Sequence, residues 1–119
     1  MGSPDEGLNE AGDRPPAGAS VLVLSGVYEG LEAALDRARM VVGRGRTADL
    51  SLVDSTISRA HAAIGFDGAG FYVEDLGSTN GTFVNGARVE RQPLKHEDEI
   101  QMGKLRLAVT LPVDGPGWE

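Results

Sequence analysis

The sequence contains no cysteine, which excludes disulfide frameworks, thiolate catalysis and cysteine-bound zinc. It has two histidines, His61 and His96, neither with a neighbouring His, so no metal site is expected. No motif calls for an organic cofactor. Long hydrophobic runs are missing: the longest aliphatic stretch, Val21 to Leu24, is far short of a membrane span. The N-terminus opens on polar and acidic residues rather than a basic stretch and an apolar run, so no targeting segment is visible. A cytoplasmic protein is the expectation. Positive charge is also scarce, with 11 Lys+Arg against 18 Asp+Glu and a formal charge of −7. That balance argues against a basic nucleic-acid or membrane-binding module. Taken alone, it also makes an anionic ligand a poor expectation.

What remains is enough for a folded domain. Of 119 residues, 40% are hydrophobic and 24% charged, unlike a disordered chain. The length suits one domain with a single core. Residues 1–19 hold Asp5, Glu6, Glu10 and Asp13 against Arg14 alone, with three of the six prolines. Residues 112–119 add Asp114 and Glu119, two more prolines and no base. Both ends read as solvated tails, which leaves residues 20–111 as the folding unit. Arg outnumbers Lys and Ala and Gly are abundant, which suggests a GC-rich, bacterial genome.

Within 20–111, strand signals recur at short intervals and helix signals are nearly absent. Val21–Leu24 and Arg39–Val42 read as short buried strands bounded by Gly. Ala62, Ile64 and Phe66 alternate with Ala63 and Gly65, which predicts one apolar face. Phe71–Leu76 follows Asp67-Gly-Ala-Gly70, a hairpin connection by composition. Thr82–Val84 and Ala87–Val89 flank Asn85-Gly86, the pair most favoured in a two-residue hairpin turn. Glu99–Met102 and Leu105–Leu111 flank Gly103-Lys104. Such spacing predicts an all-β, two-sheet antiparallel β-sandwich. Leu31–Ala38 resists, because its residues favour helix and Leu31/Leu35 stand at i, i+4. Its position between two strand signals favours strand instead.

The polar residues that do not serve the strands concentrate in three turns: Val42–Asp49, Asp54–His61 and Leu76–Thr82. Strand ends cluster at the two ends of a sandwich, so these loops can meet. Meeting, they assemble Arg44, Ser58, Arg59, Thr79 and Asn80. Such a set suits a tetrahedral dianion flanked by a peptide. Arg offers a planar fork of donors, hydroxyls reach the remaining oxygens, and Asn both donates to and accepts from a main chain.

Gly43-Arg44, Ser58-Arg-Ala-His61, Asp75-Leu-Gly-Ser-Thr-Asn-Gly-Thr82 and Val84-Asn-Gly86 together resemble the forkhead-associated (FHA) domain in order and spacing. The likeness extends through Leu94 and Asp98-Glu-Ile100…Gly103, and so covers nearly all of 20–111. It implies a sandwich whose apical loops bind phosphothreonine peptides. It implies phosphate contacts from Arg44 and Ser58, support from Thr79, and a main-chain contact from Asn80. Arg59 falls at the pocket edge. Gly43 and His61 resemble architectural residues of the family, and Ser78 and Gly81 read as braces of the loop. The expected partner is a phosphothreonine-containing protein or peptide, in bacterial Ser/Thr-kinase signalling, bound by a monomeric module that can be part of a longer protein.

Blander readings compete. Arg46, Arg88, Arg91 and Arg106 read as solvated charges, and Asn85-Gly86 as a hairpin tip near the site. Ser58, His61 and Asp75 could be cast as a nucleophilic triad, but no Gly-x-Ser-x-Gly elbow surrounds Ser58. The Gly43 loop lacks the Gly-Lys-Ser/Thr ending of a phosphate-binding P-loop. Catalysis is therefore not expected. The alternative to a phosphothreonine reader is a phosphate-independent scaffold that docks a partner on its sandwich surface. The N-terminal tail contains no Thr, which disfavours occupation of the pocket by that segment.

Overall fold

The computed structural model describes residues 14–112. In chain order the strands are β1 (Ser20–Val23), β2 (Glu32–Ala34), β3 (Arg39–Gly43), β4 (Leu50–Ser51), β5 (Ala62–Phe66), β6 (Phe71–Asp75), β7 (Thr82–Val84), β8 (Ala87–Val89), β9 (Arg91–Pro93), β10 (Glu99–Met102) and β11 (Leu105–Thr110). They form a six-stranded sheet in the order β2-β1-β11-β10-β7-β8 and a five-stranded sheet in the order β4-β3-β5-β6-β9. Every pairing is antiparallel except β3–β4, which is parallel, so the second sheet is mixed. No helix occurs among the described residues.

Alternation along the strands explains how the sheets stack. Val21 and Val23 of β1, Ile100 and Met102 of β10, and Leu105, Leu107 and Val109 of β11 are buried, with polar residues between many of them. Met40 and Val42 of β3, Ile64 of β5 and Val73 of β6 meet them from the other sheet in one cluster. Period-two patterning therefore places one apolar row per strand between two sheets.

Several local outcomes differ from, or sharpen, the sequence reading. Leu31–Ala38 is not helical: Glu32–Ala34 pairs with β1, and the Leu35 N–H donates to the Ala19 carbonyl. Cross-strand pairing and burial of Leu35 override helix propensity there. Ala19 itself is buried, so the last residue of the expected N-terminal tail belongs to the core. The rest of that tail, residues 1–13, lies outside the described residues, as does 113–119 of the C-terminal one.

The expected single apolar face of β5 is two buried faces, because Ala62, Ala63 and Ile64 are all at most 1% exposed. The Tyr72 ring lies across Gly65, and the Arg91 guanidinium stacks 3.7 Å above that ring. Arg91 also pairs with Asp67 and is not the free solvated charge its composition suggested. Arg106 likewise pairs with Glu99.

The sheets bring one set of loops to one end. The parallel β3–β4 register sends both strands out together, and antiparallel β5 enters where they leave. β6 ends opposite the start of β5, at Ala62↔Asp75. In the other sheet, β7 begins opposite the end of β10, at Thr82↔Met102, beside the β10–β11 turn. Asn85-Gly86 forms the expected turn, with φ of 51° and 90°. It does not lie near these loops. The turn is at the far end of β7, where Asn85 bonds Asp98 and Glu99.

Candidate functional site

The three polar loops meet, and a buried histidine joins them. His61 begins the descent into β5 and is 0% exposed. Its Nδ1 accepts the Ser58 N–H at 3.0 Å, so Nε2 carries the proton and donates to the Gly81 carbonyl at 2.8 Å. One ring thus ties the 54–61 loop to the 76–82 loop. The Leu76 N–H donates to the His61 carbonyl and adds a main-chain tie.

Asp75, at the end of β6, shapes the 76–82 loop. Its Oδ2 accepts the N–H groups of Gly77 and Ser78, and its Oδ1 accepts the hydroxyls of Ser78 and Thr82. The Gly81 N–H then donates to Ser78 Oγ. Burial pushes the Asp75 carboxyl up, but these donors outweigh it and hold it below the usual carboxylate range. The outcome is a closed turn that presents Thr79 and Asn80, both exposed.

The 54–61 loop is built by the same chemistry. Asp54 Oδ1 accepts the N–H and the hydroxyl of Thr56, and these bonds lower the Asp54 carboxyl. Thr56 in turn accepts the Lys104 N–H on its Oγ1 and the Asn80 amide on its carbonyl. Gly103 packs directly behind it. With φ of 59° and a hypothetical Cβ only 2.2 Å from the Thr56 carbonyl oxygen, no side chain fits there.

The remaining site residues occupy the rim. Gly43 ends β3 against the Arg59 backbone, where a Cβ would lie 2.0 Å from the Arg59 carbonyl oxygen. This close approach lets the Arg44 N–H reach the Ser58 carbonyl and the Gly45 N–H reach that of Arg59. Arg44 Nε donates to the Ile57 carbonyl at 2.8 Å, which fixes the guanidinium while its terminal nitrogens have no partner among the described residues. Ser58 Oγ accepts the Thr79 N–H at 3.1 Å, which leaves the hydroxyl proton to donate elsewhere. Asn80 spends one amide N–H on Thr56 and retains its carbonyl oxygen as an acceptor. Arg59 is exposed beside Arg44, Gly45, Arg46 and Thr47.

All five residues singled out as candidate ligands, Arg44, Ser58, Arg59, Thr79 and Asn80, therefore sit on loops that are bonded to one another. Sequence reasoning missed the second layer: Asp54, Thr56, Thr82, Gly103 and Lys104. A Thr two residues after Asp54 and a Ser three after Asp75 were the available signals, since Asp accepts from its own loop. Nothing in the chain pointed from Gly103 to Thr56, which are distant in sequence. Arg88, read as solvated, lies against Gly81, with its guanidinium carbon 3.0 Å from where a Cβ would stand.

Chemically, the rim offers one fixed guanidinium, a hydroxyl proton and an amide that both donates and accepts. That set can hold a tetrahedral anion attached to a peptide chain. No group of three or more metal-ligating side chains is gathered among the described residues.

Comparison with known proteins gives a consistent picture. The FHA domain family matches residues 40–103. The oxoglutarate dehydrogenase inhibitor of Corynebacterium diphtheriae is 41% identical over 103 residues, covering 86% of this chain and 70% of its own length. The glycogen accumulation regulator GarA of Mycolicibacterium smegmatis is 41% identical over 93 residues, covering 77% of this chain and 59% of its own length. Both are named as an inhibitor or a regulator. Among solved structures, one from a study of phosphothreonine-dependent FHA domain interactions superposes with a TM-score of 0.74 at 32% identity. It covers 81% of this chain and 98% of its own.

Proposed function

Because the chain belongs to the FHA domain family, we propose that its apical loops bind a phosphothreonine-containing peptide or protein and carry out no chemistry of their own. Arg44 and Ser58 take the phosphate, Thr79 supports it, Asn80 holds the peptide main chain, and Arg59 stands at the edge. The observation that carries this reading is the anchoring of Arg44 and Ser58. Each is fixed by one hydrogen bond, Arg44 through Nε to Ile57 and Ser58 through Oγ from Thr79, while donors remain available. Prepositioned donors lose little entropy on binding, and phosphate brings roughly −1.5 to −2 charge at pH 7 to meet them.

The biological setting follows the same line. The chain spans 70% of the inhibitor and 59% of GarA, whose names are regulatory. It acts as a cytoplasmic binding module in bacterial Ser/Thr-kinase signalling. Calorimetry with matched peptides is the test: the phosphothreonine form binds, and the unphosphorylated form does not. Equal affinity for the two forms would refute the assignment and leave a phosphate-independent scaffold.

A further inference from the structure

Beside Arg44, the site opens into a recess of about 390 Å³ lined by Arg44, Gly45, Arg46, Thr47 and Arg59. Its shape is built in. The Gly45 N–H bonds the Arg59 carbonyl, and the Gly45 carbonyl accepts the Ser51 hydroxyl, so the loop is tied on both sides. Gly45 packs closely on Arg59, where a Cβ would stand only 3.1–3.2 Å away.

What sets this recess apart is the gathering of cations: Arg39 and Arg88 also have no carboxylate partner among the described residues, but neither lines it. Arg37, Arg91 and Arg106 each lie within 4.0 Å of a carboxylate. None of the described carboxylates pairs in this way with Arg44, Arg46 or Arg59, on a chain with 18 acids and only 11 bases. One phosphate engages a guanidinium as a fork and supplies roughly two negative charges at most. Three cations line this recess, which exceeds that, and of the three Arg46 has no part in the phosphate site proposed above.

We propose that Arg46 and Thr47, with the outer edge of Arg59, form a second-anion subsite beside the phosphate; this rests on the phosphothreonine reading. The preferred ligand then carries a second negative group close in sequence to the phosphothreonine, either an acidic side chain or another phosphate. An extended peptide advances about 3.3 Å per residue, so a neighbouring residue reaches a recess that adjoins the Arg44 site. Arg46 supplies the charge and Thr47 a hydroxyl donor.

The test titrates the wild-type protein with a phosphothreonine peptide whose flanks are alanine, then with Glu moved through each nearby flanking position, then with a second phosphothreonine at the best position. At low salt, Glu tightens binding roughly threefold to tenfold at one or two positions, the range for a partly exposed charge pair. Arg46→Gln keeps the affinity for the alanine-flanked peptide within about twofold and removes the gain. Arg46→Glu turns the gain into a penalty. A gain confined to the second phosphate assigns the subsite to phosphate, and a gain from both assigns it to either anion. No gain at any position, or a gain unchanged in Arg46→Gln, overturns the subsite while phosphothreonine binding stands. Failure of the alanine-flanked phosphopeptide to bind better than its unphosphorylated form overturns both.

Discussion

Asp75 accepts four hydrogen bonds through its two oxygens, and with them it folds the loop that carries Thr79 and Asn80. Because its folded carboxyl is held below its ordinary value, its contribution is present above the unfolded value of about 3.9 and lost as pH falls through the folded one. Asp75→Asn therefore melts at a lower temperature than wild type at pH 7, and the gap narrows as the pH falls below about 4. Thermal unfolding monitored across pH reads this directly; a gap that widens in acid contradicts it. Arg44 acts differently, since its exposed side chain contributes little to the core. Arg44→Ala costs phosphopeptide binding about 2–5 kcal/mol, roughly thirtyfold or more in Kd. Its melting temperature stays near wild type. Calorimetry and a thermal scan on the same sample separate the two effects.

At the level of elements, the β10–β11 turn acts on the site from behind. Gly103 abuts the Thr56 carbonyl and the Lys104 N–H bonds the Thr56 hydroxyl, while Thr56 receives the Asn80 amide. A contiguous path thus runs from a hairpin of the six-stranded sheet through Thr56 to the loop that carries Thr79 and Asn80. Gly103→Ala combines positive-φ strain with a backbone clash, and it lowers stability by about 1–3 kcal/mol while also weakening phosphopeptide binding. Gly86→Ala is the control. It carries the same kind of strain at φ 90°, but into open space at the far end of β7, so it lowers the melting temperature and leaves peptide affinity unchanged. Equal effects of both variants on affinity would disconnect the turn from the site. The turn compositions Gly103-Lys104 and Asn85-Gly86 were both legible as hairpins. Which of them faced the loops was not, because register across the sheet decides that and neither dipeptide encodes it.

The whole molecule is acidic, yet Arg44, Arg46 and Arg59 gather at one recess. Five of the seven net negative charges come from residues 1–19 and 112–119, which leaves residues 20–111 only about two below neutral. Long-range repulsion of polyanions and short-range attraction of one phosphate coexist, because screening confines each field to about 8 Å at physiological salt. The protein therefore passes a heparin column unretained at physiological salt, while its phosphopeptide affinity declines as salt rises. Retention on heparin with release only at high salt contradicts this distribution of charge. The net charge alone misjudged anions, since it averages over distance and the pocket does not.

Alternating apolar residues, short strands and Asn-Gly or Gly-Lys turns determined the all-β sandwich, because period two and turn chemistry are local properties of a chain. The same local reading gathered Arg44, Ser58, Arg59, Thr79 and Asn80 as polar residues unused by the strands. Helix propensity in Leu31–Ala38 was also read correctly as propensity, and pairing with β1 overruled it. Only the tertiary structure decided that His61 would be wholly buried between two loops, that Thr56 would rest on Gly103, and that three arginines would share one recess without an acid. These are contacts between segments far apart in sequence. They depend on strand order and register, which arise from packing two sheets together and not from any single stretch of residues.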